Sequence, residues 1–283
     1  MPDKHHYIPI FYLKQWCGPD GKLCEYSKPH REVKVKQKYP QETAFEHDLN
    51  RMSAFPPDVA DIVERRLMGG IDSNAATALR ILLDQRIGDL TATERTSWAV
   101  FVISLWRRTP EQMTRLAEGL RAAMVAHNVD LSPVGDGSDK ISRAREALFQ
   151  REFAVLLQNV ITSEKVGTHI INMRWSVARF RNTKHTLLTS DRPFVMTNGL
   201  AKPDAHIAVP ISPTHCFLAS NTLQQERVLH SIPPDNFIFQ VNDRMAAQAR
   251  RFVFGINDQQ RRFVANRFGR REPSAPGDDY DLR

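Results

Sequence analysis

The apolar residues of this chain change period near residue 165, and that switch limits what it can fold into. From Asp58 onward Val59, Val63, Leu67, Ile71, Ala75, Ala78 and Leu82 recur every three or four residues without losing phase, the spacing that gathers side chains on one face of a helix. The unbroken phase predicts one helix running through Gly69-Gly70, at a cost of about 1 kcal/mol per glycine relative to alanine. Thr91-Ala92-Thr93-Glu94 is a capping box, since the threonine oxygen and the glutamate each satisfy an orphan amide of a first turn. It opens WAVFVISLW, apolar on nearly every side and therefore expected at the centre. At Arg107-Arg108-Thr109-Pro110 a tight elbow is predicted, with Thr109 as cap, Pro110 starting a new helix, and Met113, Leu116, Leu120 and Met124 turned inward. The polar stretch 128–139 reads as a mobile loop. Helical spacing then resumes from Ile141 to Ile161 through Leu148, Phe149, Leu156 and Val160.

Beyond Lys165 the text alternates: Ile171, Met173, Trp175 and Val177 are separated by Asn172, Arg174 and Ser176, the period of a half-buried strand. Further strands are expected at 185–190, 205–212, 216–220 and 251–255, with a helix near 235–250 inserted before the last. Upstream, KLCEYS and EVKVKQ around a Lys-Pro-His turn predict a hairpin whose lysines mark an edge strand. The opening predicts a short extended entry, Pro9 at a first helical position, a turn or two through Trp16, and Gly18 as a left-handed stop. The fold class is therefore α+β: a helical middle region packed with a C-terminal mixed or antiparallel sheet that the N-terminal segment joins. One intertwined domain over 1–271 is expected, with a helical part at 58–163, a sheet-rich part at 168–271, and a flexible tail at 272–283.

At 41% apolar and 25% charged residues in 283, the chain has the composition of an ordinary globular protein. No run approaches the roughly 18 to 20 apolar residues of a bilayer helix, so no membrane partner is expected. Cys17, Cys24 and Cys216 are odd in number and too few to staple a fold of this size; with no signal-like opening, they point to reduced thiols and a cytoplasmic address. Charge is the sharper clue. Residues 244–271 carry eight arginines against Asp258 alone, which accounts for the net charge of +7. Such text can lay guanidinium forks along phosphates, which makes DNA or RNA the expected partner. It equally describes a helix with Phe and Val inward and solvated arginines outward.

Four short blocks carry a further signal. His5-His6-Tyr7-Ile8-Pro9 with Phe11-Tyr12-Leu13 and Trp16, then Arg108-Thr109-Pro110, Thr189-Ser190-Asp191-Arg192-Pro193 and Pro210-Ile211-Ser212-Pro213 resemble, in order and spacing, the blocks of a widespread bacterial family, Domain of Unknown Function 4238. The resemblance spans most of the chain and implies no activity; it marks which residues to weigh. Ile10 departs from the family pattern, which has glutamine there.

From these blocks a candidate site follows. His5 or His6 supplies a group that titrates near neutrality, although neighbours in an extended segment point to opposite faces and only one can face a site. Arg108 and Asp191 complete a catalytic set. An inward-turned arginine at the end of the apolar helix would need a carboxylate, with Asp191 or Glu64 as candidates. Tyr12, Arg192, Arg261 and Arg262 are the substrate-binding candidates. Glu46, within Glu46-His47-Asp48, and Asp191 would hold a divalent ion, Mg2+ or Mn2+. Each has a structural alternative: a turn-forming aspartate, a helix-capping arginine, a histidine tied to a carbonyl. Cys17 and Cys24 miss the short spacing of zinc sites, and no phosphate-binding loop, HExxH helix or nucleophile elbow is present. Two functions stand open: a nucleic-acid-directed phosphodiester hydrolase with a His/Asp/Arg site, and a non-catalytic regulatory or defence-related binding protein that contacts nucleic acid or an acidic partner through its Arg-rich segment.

Overall fold

The computed structural model describes residues 5–46, 69–132, 139–197 and 199–271. Among these residues three antiparallel sheets and a central helical layer make an α+β fold. A two-stranded ribbon joins β1 (His5–His6) to β4 (Phe45–Glu46). The first four-stranded sheet has the order β3-β2-β10-β6, in which the hairpin β2 (Leu23–Ser27) and β3 (Lys34–Lys38) adds to β10 (Phe252–Gly255) and β6 (Thr189–Ser190). The second has the order β5-β9-β8-β7, from β5 (Arg174–Arg179), β7 (Val195–Thr197), β8 (His206–Ser212) and β9 (His215–Ser220). One C-terminal sheet was expected; there are two, and the N-terminal hairpin belongs to one of them. The lysine-rich β3 is its edge strand, where lysines oppose further strand addition.

The Thr91 capping box forms as the sequence predicts, with the Glu94 amide donating to Thr91 Oγ1 and the Thr91 amide to Glu94 Oε2. The helices around it are α2 (Gly69–Leu83), α3 (Ala92–Arg107), α4 (Pro110–Ala126), α5 (Lys140–Ile161) and α6 (Glu164–Asn172). Residues 58–68 of the expected first helix and 133–138 of the expected loop lie outside the described residues. Buried Trp98, Phe101, Val102 and Leu105 make α3 the centre of the main core, with α1 (Ile10–Leu13) and the alternate residues Ile207, Val209, Ile211, Phe217 and Ala219 of the second sheet packed about it. The other face of that sheet, Ala208, Cys216 and Leu218, packs on α7 (Leu223–Ser231) and α8 (Pro234–Gln248). Strand alternation thus covers both faces with helices. Helix α8 also reaches the first sheet, through Ala246 and, just beyond its end, Ala249 beside Cys24, Tyr26 and Val253.

Several local expectations change. The strand predicted from Ile171 begins at Arg174, because Ile170 and Ile171 close α6. In α5 the inward stripe is Phe149, Phe153, Leu157 and Ile161, an every-fourth set packed on Met113, Ala117 and Met124 of α4; Leu148 is exposed. Pro9 sits before α1 with extended ψ of 141°, as its cap and not as its first residue. Gly18 is not left-handed; Gly21, at φ 75°, takes that conformation.

Candidate functional site

The opening block is fastened to two of the later blocks. Its single helical turn points Tyr12 inward, where the phenol donates to the Pro210 carbonyl (2.6 Å) and hydrogen-bonds Thr189 Oγ1 (2.8 Å). Trp16 Nε1 donates to the Leu187 carbonyl at 3.0 Å. Both rings are fully buried, and burial pushes the Tyr12 phenol above its ordinary pKa. A tyrosine whose oxygen already serves two partners in a dry interior is a tie between segments.

Asp191 lies at the end of β6, 3% exposed. Its own amide donates to the Phe252 carbonyl (3.0 Å). Its carboxylate accepts the amides of Arg250 (3.1 Å), Arg251 (2.5 Å) and Phe252 (3.3 Å), the residues that lead into β10. Burial raises its carboxyl to about 6, while the amides and Arg192 act in the opposite direction. Arg192 reaches Glu111, in the first turn of α4, at 3.2 Å. The Tyr7 side chain is buried, 1% exposed, and its hydroxyl lies in the field of Asp191, Arg251 and Glu111. Burial raises its pKa above the usual phenol range; Asp191 and Glu111 act in the same sense and Arg251 against them. Tyr7, Glu111, Asp191, Arg192 and Arg251 therefore form one polar cluster drawn from the opening block, the elbow, the Asp191 block and the turn before β10. Both oxygens of its raised-pKa carboxyl, that of Asp191, accept backbone amides, and its second carboxylate, Glu111, is paired with Arg192.

Arg108 is elsewhere. It is 4% exposed and pairs with Asp72 of α2 through two bonds (2.9 and 3.2 Å), with Ser104 Oγ as a third partner. The expected pairing with Asp191 is thus replaced by one with Asp72; Glu64 lies outside the described residues. Thr109 holds the cap position of α4, but its hydroxyl turns back to the Trp106 carbonyl (3.5 Å). His6 is half-buried with its ring against Phe45, and His5 is the register partner of Glu46. His47 and Asp48 lie outside the described residues. Among the described residues no group of three or more His, Cys, Asp or Glu side chains is placed to hold a metal ion, so the Mg2+ or Mn2+ expectation gains no ligand set there.

The Arg-rich segment is folded into the end of α8, β10 and a short helix α9 (Arg261–Ala265). Arg261 donates to the Val33 carbonyl at 3.5 Å beside the edge strand, and Arg262 is exposed. Arg267 pairs with Asp243 (2.8 Å) and lies 3.9 Å from the Phe263 ring centre. Seven of the eight arginines are exposed, all but Arg267.

The structure thus joins Tyr12 and Asp191 to a common framework, draws Arg192 to it, and leaves Arg108, Arg261 and Arg262 in other surroundings. Sequence reasoning missed Tyr7, Glu111 and Arg251. The first two carried a signal, Tyr7 within the opening block and Glu111 immediately after Pro110. Arg251 and Asp72 had none, because their partners come from distant segments. A family model described as protein of unknown function (DUF4238) matches residues 4–259. No curated protein and no solved structure matches the chain. Among the described residues no helix is long and apolar enough to cross a membrane.

Proposed function

The chain belongs to the family described as protein of unknown function (DUF4238), and since that description names no activity, we propose from the geometry that it is a non-catalytic binding protein whose Arg-rich C-terminal segment contacts nucleic acid. The observation that carries the reading is the exposure of seven arginines between 244 and 271 on a folded support. Guanidinium groups held on short elements lose less freedom on meeting phosphates than those on a loose tail, and each fork can engage two phosphate oxygens. The family-like blocks support the reading from the other side. Tyr12 and Asp191 spend their polar atoms on Pro210 and Thr189 and on the amides of 250–252, and the Arg108 terminal nitrogens are taken by Asp72 and Ser104. Asp191 thereby fastens the turn that carries Arg250 and Arg251 into β10. A cytoplasmic address accords with this, as do the three unpaired cysteines.

The test is titration of labelled DNA and RNA oligonucleotides with the full-length protein, with and without Mg2+ or Mn2+. The account expects salt-sensitive binding, intact oligonucleotides after prolonged incubation, and loss of most affinity in an Arg261→Ala/Arg262→Ala/Arg270→Ala/Arg271→Ala variant. Unchanged affinity in that variant overturns the proposal. Metal-dependent cleavage lost on substitution of His5 and His6 restores the phosphodiester hydrolase in its place.

A further inference from the structure

A groove runs between β8, α7 and α8 beside the arginines. Its cavity is about 410 Å³, walled by Val195, Val228, Leu229, Ile232, Phe237 and Phe239. Gln225 and His206 lie in it, hydrogen-bonded to each other at 3.1 Å. A second cleft of about 430 Å³ shares Asp243 and Arg271 with it and adds Asn266, Arg267 and Arg270. The apolar part therefore opens directly onto a cationic part.

Three features define what this groove fits. Phe239 is 52% exposed and Val228 48%, so two apolar side chains of the lining stand partly in water where a partner would cover them. Among the described residues Asp243 is the one carboxylate lining either cleft, and it is already engaged by Arg267 (2.8 Å) and Arg271 (3.7 Å). No carboxylate among the described residues pairs with Arg244 or Arg270. The rim thus carries excess positive charge over an apolar floor. Burial lowers the His206 pKa, and its imidazole stands with the amides of Gln225 and Gln240 among the uncharged polar groups of the lining.

We infer that this groove binds single-stranded nucleic acid, with one base entering the apolar cleft against Phe239 and the adjoining phosphates lying on Arg244, Arg270 and Arg271. The inference rests on the reading that the Arg-rich segment contacts nucleic acid, and it adds that the strand is unpaired. Every base has a π face, so an aromatic platform accepts any sequence, and arginines along the rim follow the backbone. In a duplex those faces are stacked on their neighbours and cannot enter a cleft. Gln225 and His206 would meet the base edge.

Fluorescence anisotropy tests this with a labelled mixed-sequence DNA 20-mer, the corresponding RNA, and the DNA duplex. The unpaired strands bind at least tenfold more tightly than the duplex. Phe239→Ala and Val228→Glu, both at exposed positions, weaken single-strand binding by roughly tenfold and leave duplex binding within twofold, while Phe239→Trp keeps wild-type affinity. If the two groove variants bind single strands like wild type while Arg261→Ala/Arg262→Ala still lowers affinity, the groove assignment is wrong and the broader nucleic-acid reading survives. If no oligonucleotide binds, that broader reading falls. Sedimentation of a dimer that Phe239→Ala splits, or binding of a peptide with the sequence of residues 272–283, gives the groove a different occupant and overturns the inference.

Discussion

Asp191 shows how one carboxyl can look catalytic in sequence and act as a strut in the fold. Its position after a strand and before Arg192-Pro193 is legible; that its oxygens hold the amides of 250–252 is not, because those lie about sixty residues away. The raised pKa has a thermodynamic consequence. The carboxyl titrates at about 6 in the fold and about 4 in an unfolded chain, so the fold holds the proton more tightly. Its contribution is complete below about pH 4, is lost as pH rises through about 6, and is flat above. In Asp191→Asn this titration is gone. The stability difference, wild type minus variant, measured by urea unfolding, should fall by up to about 3 kcal/mol between pH 4 and pH 7. A pH-independent difference contradicts the assignment. Arg108 makes a second case. The sequence leaves open whether it caps the helix end or turns inward, and its partner Asp72 is not legible there. Arg108→Ala should cost about 3 kcal/mol, and Asp72→Ala should add little once Arg108 is gone, as thermal unfolding of the double-mutant cycle will show.

At the scale of elements the sequence was most legible where periodicity ran long. Helix α3 with its capping box, the β2–β3 hairpin, β8 and β9 all lie close to the expected ranges. β7 and α7 escaped, because three residues of β7 hold no usable period and α7 buries Leu229 alone, while the helical reading of the Arg-rich segment is met over Arg261–Ala265. Phase within α5 was half legible. Leu148 and Phe149 are adjacent apolar residues, and only contact with Met113 and Met124 of α4 decides which turns inward. Leu157→Ala should destabilise by about 2–5 kcal/mol, whereas Leu148→Ala should change stability by less than about 0.5 kcal/mol. Chemical denaturation of the two variants checks the phase; equal losses contradict it.

For the whole molecule, the switch of period near residue 165 announced the α+β class, but not the division of the strands into two sheets. Sheet partners are set by long-range register, and the N-terminal hairpin meets β10 across more than two hundred residues. The candidate site was legible as blocks and not as roles: the blocks brace one another, while the exposed charge gathers at the C-terminal segment. Because α8 packs on both four-stranded sheets, the described residues are expected to unfold as one cooperative unit, so tryptophan fluorescence and circular dichroism should give coincident transitions; separated midpoints contradict this. In the proposed complex, contact between surface arginines and phosphates carries the binding. It is tested most directly by the slope of log binding constant against log salt concentration for a single-stranded oligonucleotide. The account predicts a linear fall whose slope becomes shallower by about 3 when Arg261, Arg262, Arg270 and Arg271 are replaced by alanine; equal slopes for wild type and variant would contradict it.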